Sequence, residues 1–273
     1  MVSDQWRLLE PFVTLNRPIV LAYSGGADSS VLLAALVRAG GAEALIAATY
    51  KSPLHHSGEL RRAAALTRKL GVEHLIVEED PLADKEFAAN PEERCYLCKK
   101  RRLAGLASLA RERGAPILDG TNFSDTRVYR PGLKALEEAG VIAPLAQAGL
   151  TKEQVGELGR WLGVEDWIRP ASACLATRVP YGFPLTAGLL ENIRRAEESL
   201  AALWGVELGS FRVRAHGSLA RVETDPALWP RIMAPDLLSR TVRELKRFGF
   251  VHASLDLEGY VSGSMDREGM NTE

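Results

Sequence analysis

Hydrophobic and polar positions follow two different patterns along the chain. In the longer, N-terminal part, short apolar runs alternate with segments of helical periodicity. The apolar runs predict strands at residues 18–23, 44–50, 74–77 and 116–119. Helical periodicity and capping residues predict four helices. One begins at Val31, one spans 58–70, one spans 103–113 and ends before Gly114, and one begins after the N-cap Thr151. Strands separated by helices of this length predict βαβ units around a parallel sheet.

The pattern changes at Pro180-Tyr181-Gly182-Phe183-Pro184, where two prolines and a glycine interrupt regular structure. Beyond this stretch we expect a helix over 186–203, a hairpin of 211–214 and 219–223 around Gly217, a helix over 235–248 and a strand over 251–257. The sequence therefore predicts two domains, an α/β domain over 1–180 and a small α+β domain over 181–273.

The turn between the first strand and the first helix carries a dense polar cluster, Ser24-Gly25-Gly26-Ala27-Asp28-Ser29-Ser30. Its two glycines allow the backbone to approach a phosphate closely, and the helix N-terminus behind them favours an anion. The serine hydroxyls are further donors, and the Asp28 carboxylate can hold Mg²⁺. The Walker A and dinucleotide-binding motifs are excluded, because Gly-Lys-Ser/Thr and the third glycine are missing. The turn predicts a phosphate site, with a simple serine-capped turn as the alternative.

Composition narrows the classes of function. The 273 residues are 46% hydrophobic and 25% charged, which is enough for a packed core. A net charge of −1 argues against binding driven by nucleic-acid phosphates. No apolar run approaches the length of a membrane span, about 20 residues, and the first residues lack signal-peptide character. We therefore expect a cytoplasmic protein without membrane or nucleic-acid partners.

The three cysteines do not indicate a disulfide framework. Cys95 and Cys98 form a C-x-x-C motif, a spacing shared by redox, zinc and iron–sulfur sites and also found in unremarkable thiols. The lysines and arginines around the motif favour the thiolate form. Cys174 lies in a separate segment, Pro170-Ala171-Ser172-Ala173-Cys174-Leu175-Ala176-Thr177-Arg178.

Several segments together resemble one known family. They are residues 24–30, 49–52, 94–99, 119–122, 174–182, 212–216, 220–223 and 259–260. In this order they are similar to the LarE family of ATP-dependent sulfur insertases, within the PP-loop ATP pyrophosphatases, and the resemblance covers nearly the whole chain. Two positions depart from the family pattern: Val261 stands where arginine is common, and Ala27 where valine is common. The first departure puts one substrate contact in doubt, and the second is expected to be harmless.

The resemblance implies a PP-loop (adenine nucleotide alpha hydrolase-like) α/β fold with a smaller C-terminal α+β domain. It implies that ATP and Mg²⁺ adenylate the carboxylates of pyridinium-3,5-biscarboxylic acid mononucleotide, which sulfur then converts to thiocarboxylates. The resemblance also implies that the product is used to make the nickel-pincer nucleotide cofactor of lactate racemase. The expected ATP-site residues are Ala22, Ser24, Gly25, Gly26, Asp28, Ser29, Ser30, Thr49, Lys99 and Gly120, with Asp28 also on Mg²⁺. The expected substrate-site residues are Tyr96, Thr177, Arg178, Arg212 and Arg214.

Some of these residues have a second interpretation. Arg212 and Arg214 share a face of a predicted strand, which suits either bidentate binding of the substrate phosphate or a solvated surface. Lys99 is a candidate phosphate ligand or a surface lysine in a basic run. Tyr96 is expected to stack on the pyridinium ring or simply to pack.

Members of the family that the sequence resembles obtain sulfur in two ways. One subtype gives up the sulfur of the cysteine matching Cys174, which becomes dehydroalanine after a single turnover. The other binds a 4Fe-4S cluster through cysteines matching Cys95, Cys98 and Cys174, and its fourth iron can carry hydrosulfide from a sulfide donor. All three cysteines are present, which favours the cluster, and zinc is a lesser alternative.

Two rival functions stay open. A tRNA-thiolating PP-loop enzyme also uses three cysteines and a cluster, although the near-neutral charge argues against it. An ATP-sensing binding module is the non-enzymatic alternative. In the favoured interpretation, the C-terminal domain contributes to substrate binding and to a homo-oligomer built from trimers, up to a hexamer.

Overall fold

The computed structural model describes residues 5–13, 18–127, 131–169, 173–261 and 264–266. The chain divides into two compact units. Unit 1 comprises Met1–Ser52, Ser57–Glu79 and Glu93–Arg169, and unit 2 comprises Pro53–His56, Asp80–Glu92 and Pro170–Glu273. The chain therefore enters unit 2 through two short segments before its C-terminal part, a feature that a single boundary after residue 180 does not include.

A parallel sheet lies at the centre of unit 1. Its strands are β1 (Ile19–Ala22), β2 (Leu45–Lys51), β3 (Glu73–Glu78) and β4 (Ile117–Asp119), in the spatial order β3-β2-β1-β4. All neighbouring strands are parallel, with Val20 opposite Ile46 on one side and Ile117 on the other. Apolar central strands are typical of a parallel sheet that is covered on both faces. The predicted α/β fold with a parallel sheet is confirmed.

Helices make most of the connections. In chain order the α-helices are α1 (Ala27–Gly40), α2 (Ser57–Leu70), α3 (Lys85–Ala88), α4 (Arg94–Arg113), α5 (Pro131–Glu138), α6 (Pro144–Gln147), α7 (Lys152–Trp161), α8 (Ala187–Trp204), α9 (Trp229–Ile232) and α10 (Pro235–Arg247). Short 3₁₀ helices lie at Trp6–Phe12, Pro81–Ala83, Ser124–Arg127, Glu165–Trp167, Leu175–Arg178, Pro226–Leu228 and Ser264–Asp266. Thr151 caps α7, as predicted, in a capping box with Gln154.

Helix α1 runs through the core of unit 1. It begins at Ala27, earlier than the predicted start at Val31, because Gly26 rather than a serine occupies the N-cap position. Its residues 29–36 are all buried, so the helix is enclosed rather than amphipathic. Helix α7 packs closely on it at Gly159, where an added Cβ would lie 2.5 Å from Cγ2 of Val31. This close packing fixes α1 and the loop that precedes it.

Helix α4 begins at Arg94, well before the predicted start at Leu103. Residues 94–102 are mostly polar, so apolar periodicity gives no signal there, yet lysine and arginine are good helix formers. The helix ends before Gly114, which adopts a left-handed conformation, as predicted. The early start places the C-x-x-C motif on the first turn of a helix.

Unit 2 contains a smaller sheet. Strands β5 (Phe211–His216) and β6 (Leu219–Thr224) form the predicted antiparallel hairpin, and β7 (His252–Leu255) pairs in parallel with β6. Strand β7 is shorter than the predicted 251–257, because Asp256 begins a turn closed by a hydrogen bond from the Gly259 N–H. Among the described helices, none combines the length and the apolar character needed to cross a membrane.

The first turn of α1 lies against the residue that follows β4. A Cβ added at Gly120 would lie 2.8 Å from Cα and 2.9 Å from N of Ser29. Distances this short to backbone atoms leave no room for a side chain without a shift of the backbone. Gly120 therefore allows the carboxyl end of β4 to meet the N-terminus of α1.

We expect Gly120→Ala to lower the free energy of unfolding by about 1–3 kcal/mol, because the methyl group pushes the backbone of Ser29 away. Gly156→Ala in α7 is the matched control, since its added Cβ would meet only the end of the Arg160 side chain, at 3.8 Å, and alanine favours a helix. Urea denaturation of both variants measures the difference. Wild-type stability in Gly120→Ala would contradict the close contact.

Candidate functional site

The loop between β1 and α1 is built from glycines and serine hydroxyls. Gly25 has φ +75°, a left-handed conformation that favours glycine, and Gly26 caps the helix in an extended conformation. The Ser24 hydroxyl lies 3.0 Å from that of Ser29 and accepts a hydrogen bond of 3.3 Å from the Gly26 N–H. Ser24 and Gly26 are exposed, whereas Gly25 and Ser29 are buried. The loop thus presents small donors beside a helix N-terminus, an arrangement that suits an anion.

Other residues of the predicted ATP site hold this loop in place. Ser30 is fully buried, and its hydroxyl lies 3.2 Å from that of Tyr23. Burial raises the pKa of Tyr23 to about 12, although this hydrogen bond acts in the opposite direction. Thr49 donates to the Tyr23 carbonyl at 2.8 Å, and His74 Nε2 lies 2.9 Å from the Thr49 hydroxyl. Because the Thr49 proton is already used, His74 is the donor, and burial lowers its pKa.

Ala22 and Asp28 lie before and after the glycines of the loop in the sequence. Ala22 is the last residue of β1, and Asp28 lies in the first turn of α1. Both residues are partly exposed. The helix dipole stabilises a carboxylate at this position, and its oxygens are suitable ligands for Mg²⁺.

An ion pair joins helix α4 to the carboxyl end of β4. Lys99 Nζ lies 2.8 Å from Oδ2 of Asp119, whose side chain is 9% exposed. The other carboxylate oxygen accepts hydrogen bonds from the N–H and hydroxyl of Thr121. Burial acts to raise the pKa of Asp119, but the charge of Lys99 and the hydrogen bonds from Lys99 and Thr121 outweigh it and lower the pKa. Lys99 is therefore held beside Asp119, the neighbour of Gly120.

The C-x-x-C motif lies on the same helix as Lys99. Cys95 and Cys98 are on the first turn of α4, at a spacing that puts them on one face. Neither forms a disulfide; Cys95 is exposed and Cys98 is partly buried. Joint binding of one ligand by the two cysteines stays a prediction.

Tyr96 lies between the two cysteines in the sequence. Its ring centroid is 5.3 Å from Lys100 Nζ and 5.4 Å from Lys134 Nζ. Its hydroxyl donates to Glu138 at 2.8 Å. A cationic pyridinium ring would compete with two ammonium groups for this aromatic ring, and its stacking here stays a prediction.

Cys174 lies in unit 2, directly before the 3₁₀ helix Leu175–Arg178; it is partly buried and forms no disulfide. Its carbonyl accepts hydrogen bonds from the Thr177 N–H at 2.9 Å and the Thr177 hydroxyl at 2.7 Å. Arg178 is fully buried and donates through Nη1 to the Ala173 carbonyl at 2.8 Å. Thr177 and Arg178, both predicted to bind substrate, thus contact the backbone around Cys174. Residues 170–172 of the same motif lie outside the described residues.

Arg212 lies on β5 and is buried rather than solvated. Its guanidinium group donates to the carbonyls of Gly209 and Phe211 and to the Tyr260 hydroxyl. Burial and the positive charge of Arg178 lower the pKa of Arg212 to about 10. A guanidinium group in such surroundings is stabilised by an added negative charge.

Arg214 is also buried, two residues along β5 from Arg212. It donates to Glu223 at 2.7 Å, to the Thr177 carbonyl at 2.8 Å and to the Ser264 hydroxyl at 3.1 Å. The hairpin is thereby connected to the segment that carries Cys174. Contact of either arginine with a substrate phosphate stays a prediction.

The predicted site residues form one group in each unit. In unit 1 the loop 24–30, Gly120 and Lys99 come together through the contacts above. In unit 2 the segment 174–178 is bonded to Arg214. Cys95 and Cys98 belong to unit 1 and Cys174 to unit 2. Across the described residues, no three histidine, cysteine, aspartate or glutamate side chains form a group that could hold a metal ion, and the iron–sulfur cluster stays a prediction.

Sequence reasoning missed three polar residues in these surroundings. Asp119 precedes Gly120 at the carboxyl end of a predicted strand. A carboxylate at this edge of a parallel sheet could have indicated a site residue. Glu197 interrupts the apolar stripe of α8 between Ile193 and Leu200, and an acid on a buried stripe needs a partner. His56 gave no comparable signal, because its partner is distant in the sequence.

A parallel sheet with a phosphate-suited loop after β1, and with a lysine held at the same carboxyl edge, is the architecture of an α/β protein of the PP-loop class.

Comparisons with known proteins identify the family. No family model matches the chain. The chain is 33% identical to the pyridinium-3,5-bisthiocarboxylic acid mononucleotide synthase of Lactiplantibacillus plantarum over 252 residues, which cover 91% of this chain and 88% of the synthase. It is 37% identical to an uncharacterised protein of Synechocystis sp., over 94% of each chain. It is 29% identical to an uncharacterised protein of Methanocaldococcus jannaschii, over 90% of this chain and 92% of that protein. The chain therefore belongs to the family of the L. plantarum synthase, the LarE family.

We expect Asp119→Asn to lower the free energy of unfolding at neutral pH by about 2–3 kcal/mol, because the negative charge that accepts the hydrogen bonds from Lys99 and Thr121 is lost. Folding lowers the pKa of Asp119 below its ordinary value of 3.8. The pair therefore contributes its full stability above that pH and loses it as the pH falls through the folded-state pKa. The difference between variant and wild type should be constant near neutral pH and shrink in acid.

Urea denaturation at a series of pH values measures this difference. Glu78→Gln is the matched control, because it breaks an exposed lysine pair on the same sheet and should change stability little. A difference for Asp119→Asn that persists undiminished into strong acid would show that the charge of Asp119 is not its source.

Proposed function

We propose that the protein is an ATP-dependent sulfur transferase that converts the carboxylates of pyridinium-3,5-biscarboxylic acid mononucleotide to thiocarboxylates, for nickel-pincer nucleotide biosynthesis and lactate racemase maturation. The observation that carries the proposal is the similarity to the L. plantarum synthase over 91% of the chain. The loop 24–30, the position of Lys99 and the three cysteines support it.

The first step needs a leaving group, because a carboxylate is a poor acyl donor. A substrate carboxylate oxygen attacks the α-phosphorus of ATP, which forms an acyl adenylate and releases pyrophosphate. The donors of the loop 24–30 suit the phosphates, and Asp28 suits Mg²⁺. Lys99, held 2.8 Å from Asp119, supplies positive charge beside this loop, where negative charge develops.

In the second step, a sulfur nucleophile attacks the acyl carbon and AMP leaves, so each carboxylate consumes one ATP. We propose that Cys95, Cys98 and Cys174 hold a 4Fe-4S cluster; three cysteines outside disulfides, two of them on one helix face, support this. Such a cluster would supply hydrosulfide as the sulfur nucleophile. Use of the sulfur of Cys174 itself is the alternative within this proposal.

The buried arginines support an anionic substrate. Arg178 and Arg214 both act to lower the pKa of Arg212, so positive charge is crowded here despite the buried carboxylates of Glu197 and Glu223. A phosphate near Arg212 would offset this positive charge. We propose that Arg212 and Arg214, which share a face of β5, bind the substrate phosphate.

We propose that the protein acts in the cytoplasm as a homo-oligomer built from trimers, and that a separate donor delivers sulfide. The net charge of −1 favours a small nucleotide over tRNA as the substrate.

Asp28→Asn should reduce the formation of AMP and pyrophosphate from ATP and the pyridinium mononucleotide by about 100-fold, because Mg²⁺ loses a charged ligand. Asp236→Asn is the matched control, since Asp236 is likewise the second residue of a helix, in α10, and should leave the rate unchanged. Product analysis by liquid chromatography measures both.

The same assay tests the substrate class. We expect pyrophosphate release with the pyridinium mononucleotide and none with unmodified tRNA. Release and thiolation with tRNA alone would identify the rival thiolase, and absence of release with both substrates would favour an ATP-sensing module.

The source of sulfur is tested by the mass of the polypeptide after reaction. Under the cluster proposal, we expect an unchanged polypeptide mass, iron and sulfide after anaerobic reconstitution, and loss of repeated turnover in Cys95→Ala, because a cluster ligand is missing. A polypeptide that has lost one sulfur at Cys174 would indicate sacrifice instead. Repeated turnover by Cys95→Ala supplied with sulfide, or binding of zinc alone, would also contradict the cluster.

A further inference from the structure

Glu197 is a buried carboxylate in the middle of helix α8, 1% exposed. It accepts hydrogen bonds from Arg178 Nε at 2.8 Å and Nη2 at 3.0 Å, and from the Val213 N–H at 2.9 Å. His56 Nε2 lies 2.9 Å from Oε2 of Glu197, the oxygen that also accepts from Arg178 Nη2. Burial acts to raise the pKa of Glu197, but the charge of Arg178 and the hydrogen bonds from His56 and Arg178 lower it. The carboxylate is therefore ionised, and His56 is the donor in their hydrogen bond.

The far end of Arg178 holds the backbone around Cys174. Nη1 donates to the Ala173 carbonyl at 2.8 Å and lies 3.4 Å from the Cys174 carbonyl. The same nitrogen lies 3.0 Å from the Thr177 hydroxyl, which donates to the Cys174 carbonyl. One guanidinium group thus connects Glu197 to the two carbonyl groups that flank the Cα of Cys174.

A second connection reaches the other side of Cys174. Leu175 donates its N–H to the Leu54 carbonyl at 2.8 Å. Leu54 lies two residues before His56, which is 3% exposed and bonded to Glu197. The segment Pro53–His56 is therefore attached at one end to Glu197 and at the other to the residue that follows Cys174.

Stability alone is a weak reason for such a network. Well-packed apolar residues in place of a buried ion pair often leave stability unchanged or higher. A buried ion pair does restrict geometry, because each partner must keep its hydrogen bonds in a medium without water. Both connections from Glu197 end at backbone atoms next to the Cα of Cys174. The network therefore restricts the backbone conformation at Cys174.

We propose that Glu197, acting through Arg178 and His56, is a positioning residue that fixes the backbone of Cys174 and holds its thiol in one orientation. The inference rests on the proposed function only in taking Cys174 as a cysteine that handles sulfur. Glu197 needs no contact with substrate for this role.

The test measures the reactivity of the Cys174 thiol in the full-length chain without ATP or substrate. Native protein is treated with iodoacetamide, and the alkylation rates of Cys95, Cys98 and Cys174 are followed by peptide mass spectrometry. We expect Glu197→Gln to raise the rate at Cys174 relative to Cys95 by about fivefold, because the partly buried thiol is released when its segment opens locally. Arg178→Lys keeps the positive charge but loses the forked hydrogen bonds, and should act in the same direction.

Two controls separate positioning from general loosening. Glu191→Gln makes the same change on the same helix at an exposed ion pair with Arg194, and should leave the ratio unchanged. Thr241→Val removes the buried hydrogen bond from Trp204 Nε1, seven residues after Glu197 on α8; it destabilises unit 2 and should also leave the ratio unchanged. If Glu197→Gln does not fold, Arg178→Lys supplies the decisive ratio.

An unchanged ratio in Glu197→Gln or in Arg178→Lys, or an equal rise in Thr241→Val, would overturn the proposal. Kinetics add an independent measurement: thiocarboxylate formation should fall in kcat while the KM for ATP stays unchanged, because the ATP site is in unit 1. A changed alkylation ratio together with no thiocarboxylate formation by the wild type would leave the positioning role intact and remove the proposed function.

Discussion

The first turn of helix α1 leaves backbone N–H groups that the helix itself cannot satisfy, and unit 1 is arranged around that turn. Gly120 brings the end of β4 against Ser29. Gly25 lets helix α2 approach until an added Cβ would lie 3.0 Å from that of Ala63, and Gly159 lets α7 pack closely on Val31 of α1. The loop therefore depends on close contacts of the elements around it as much as on its own serines, and these contacts keep its donors at the carboxyl edge of the sheet.

Much of the fold could be predicted because its signals are local. Buried strands form continuous apolar runs, and the hairpin at Gly217 is marked by alternation on both sides of a glycine. The start of α4 could not be predicted, because the polar residues after Arg94 have no apolar periodicity and their helix is stabilised by propensity and packing. The same reason hid the placement of Cys95 and Cys98 on a helical turn.

The candidate site could be predicted only where its residues are adjacent in the sequence, as in the loop 24–30. Lys99 and Asp119 are 20 residues apart, and His56 and Glu197 are 141 apart, so no local pattern connects them. Alternation placed Arg212 and Arg214 on one face of a strand, but it carries no information about what covers that face. Burial of their charges is a tertiary property, and it changes both arginines from surface groups into parts of a hydrogen-bonded network.

The passage of the chain through unit 2 in the short segments 53–56 and 80–92 has a consequence for protein synthesis. Domains generally fold as units while the chain emerges from the ribosome, N-terminal parts first. Here His56 emerges 141 residues before Glu197, its partner in unit 2. The two early segments therefore gain their partners in unit 2 only when the C-terminal part of the chain has been made. No single cut along the chain separates the two units.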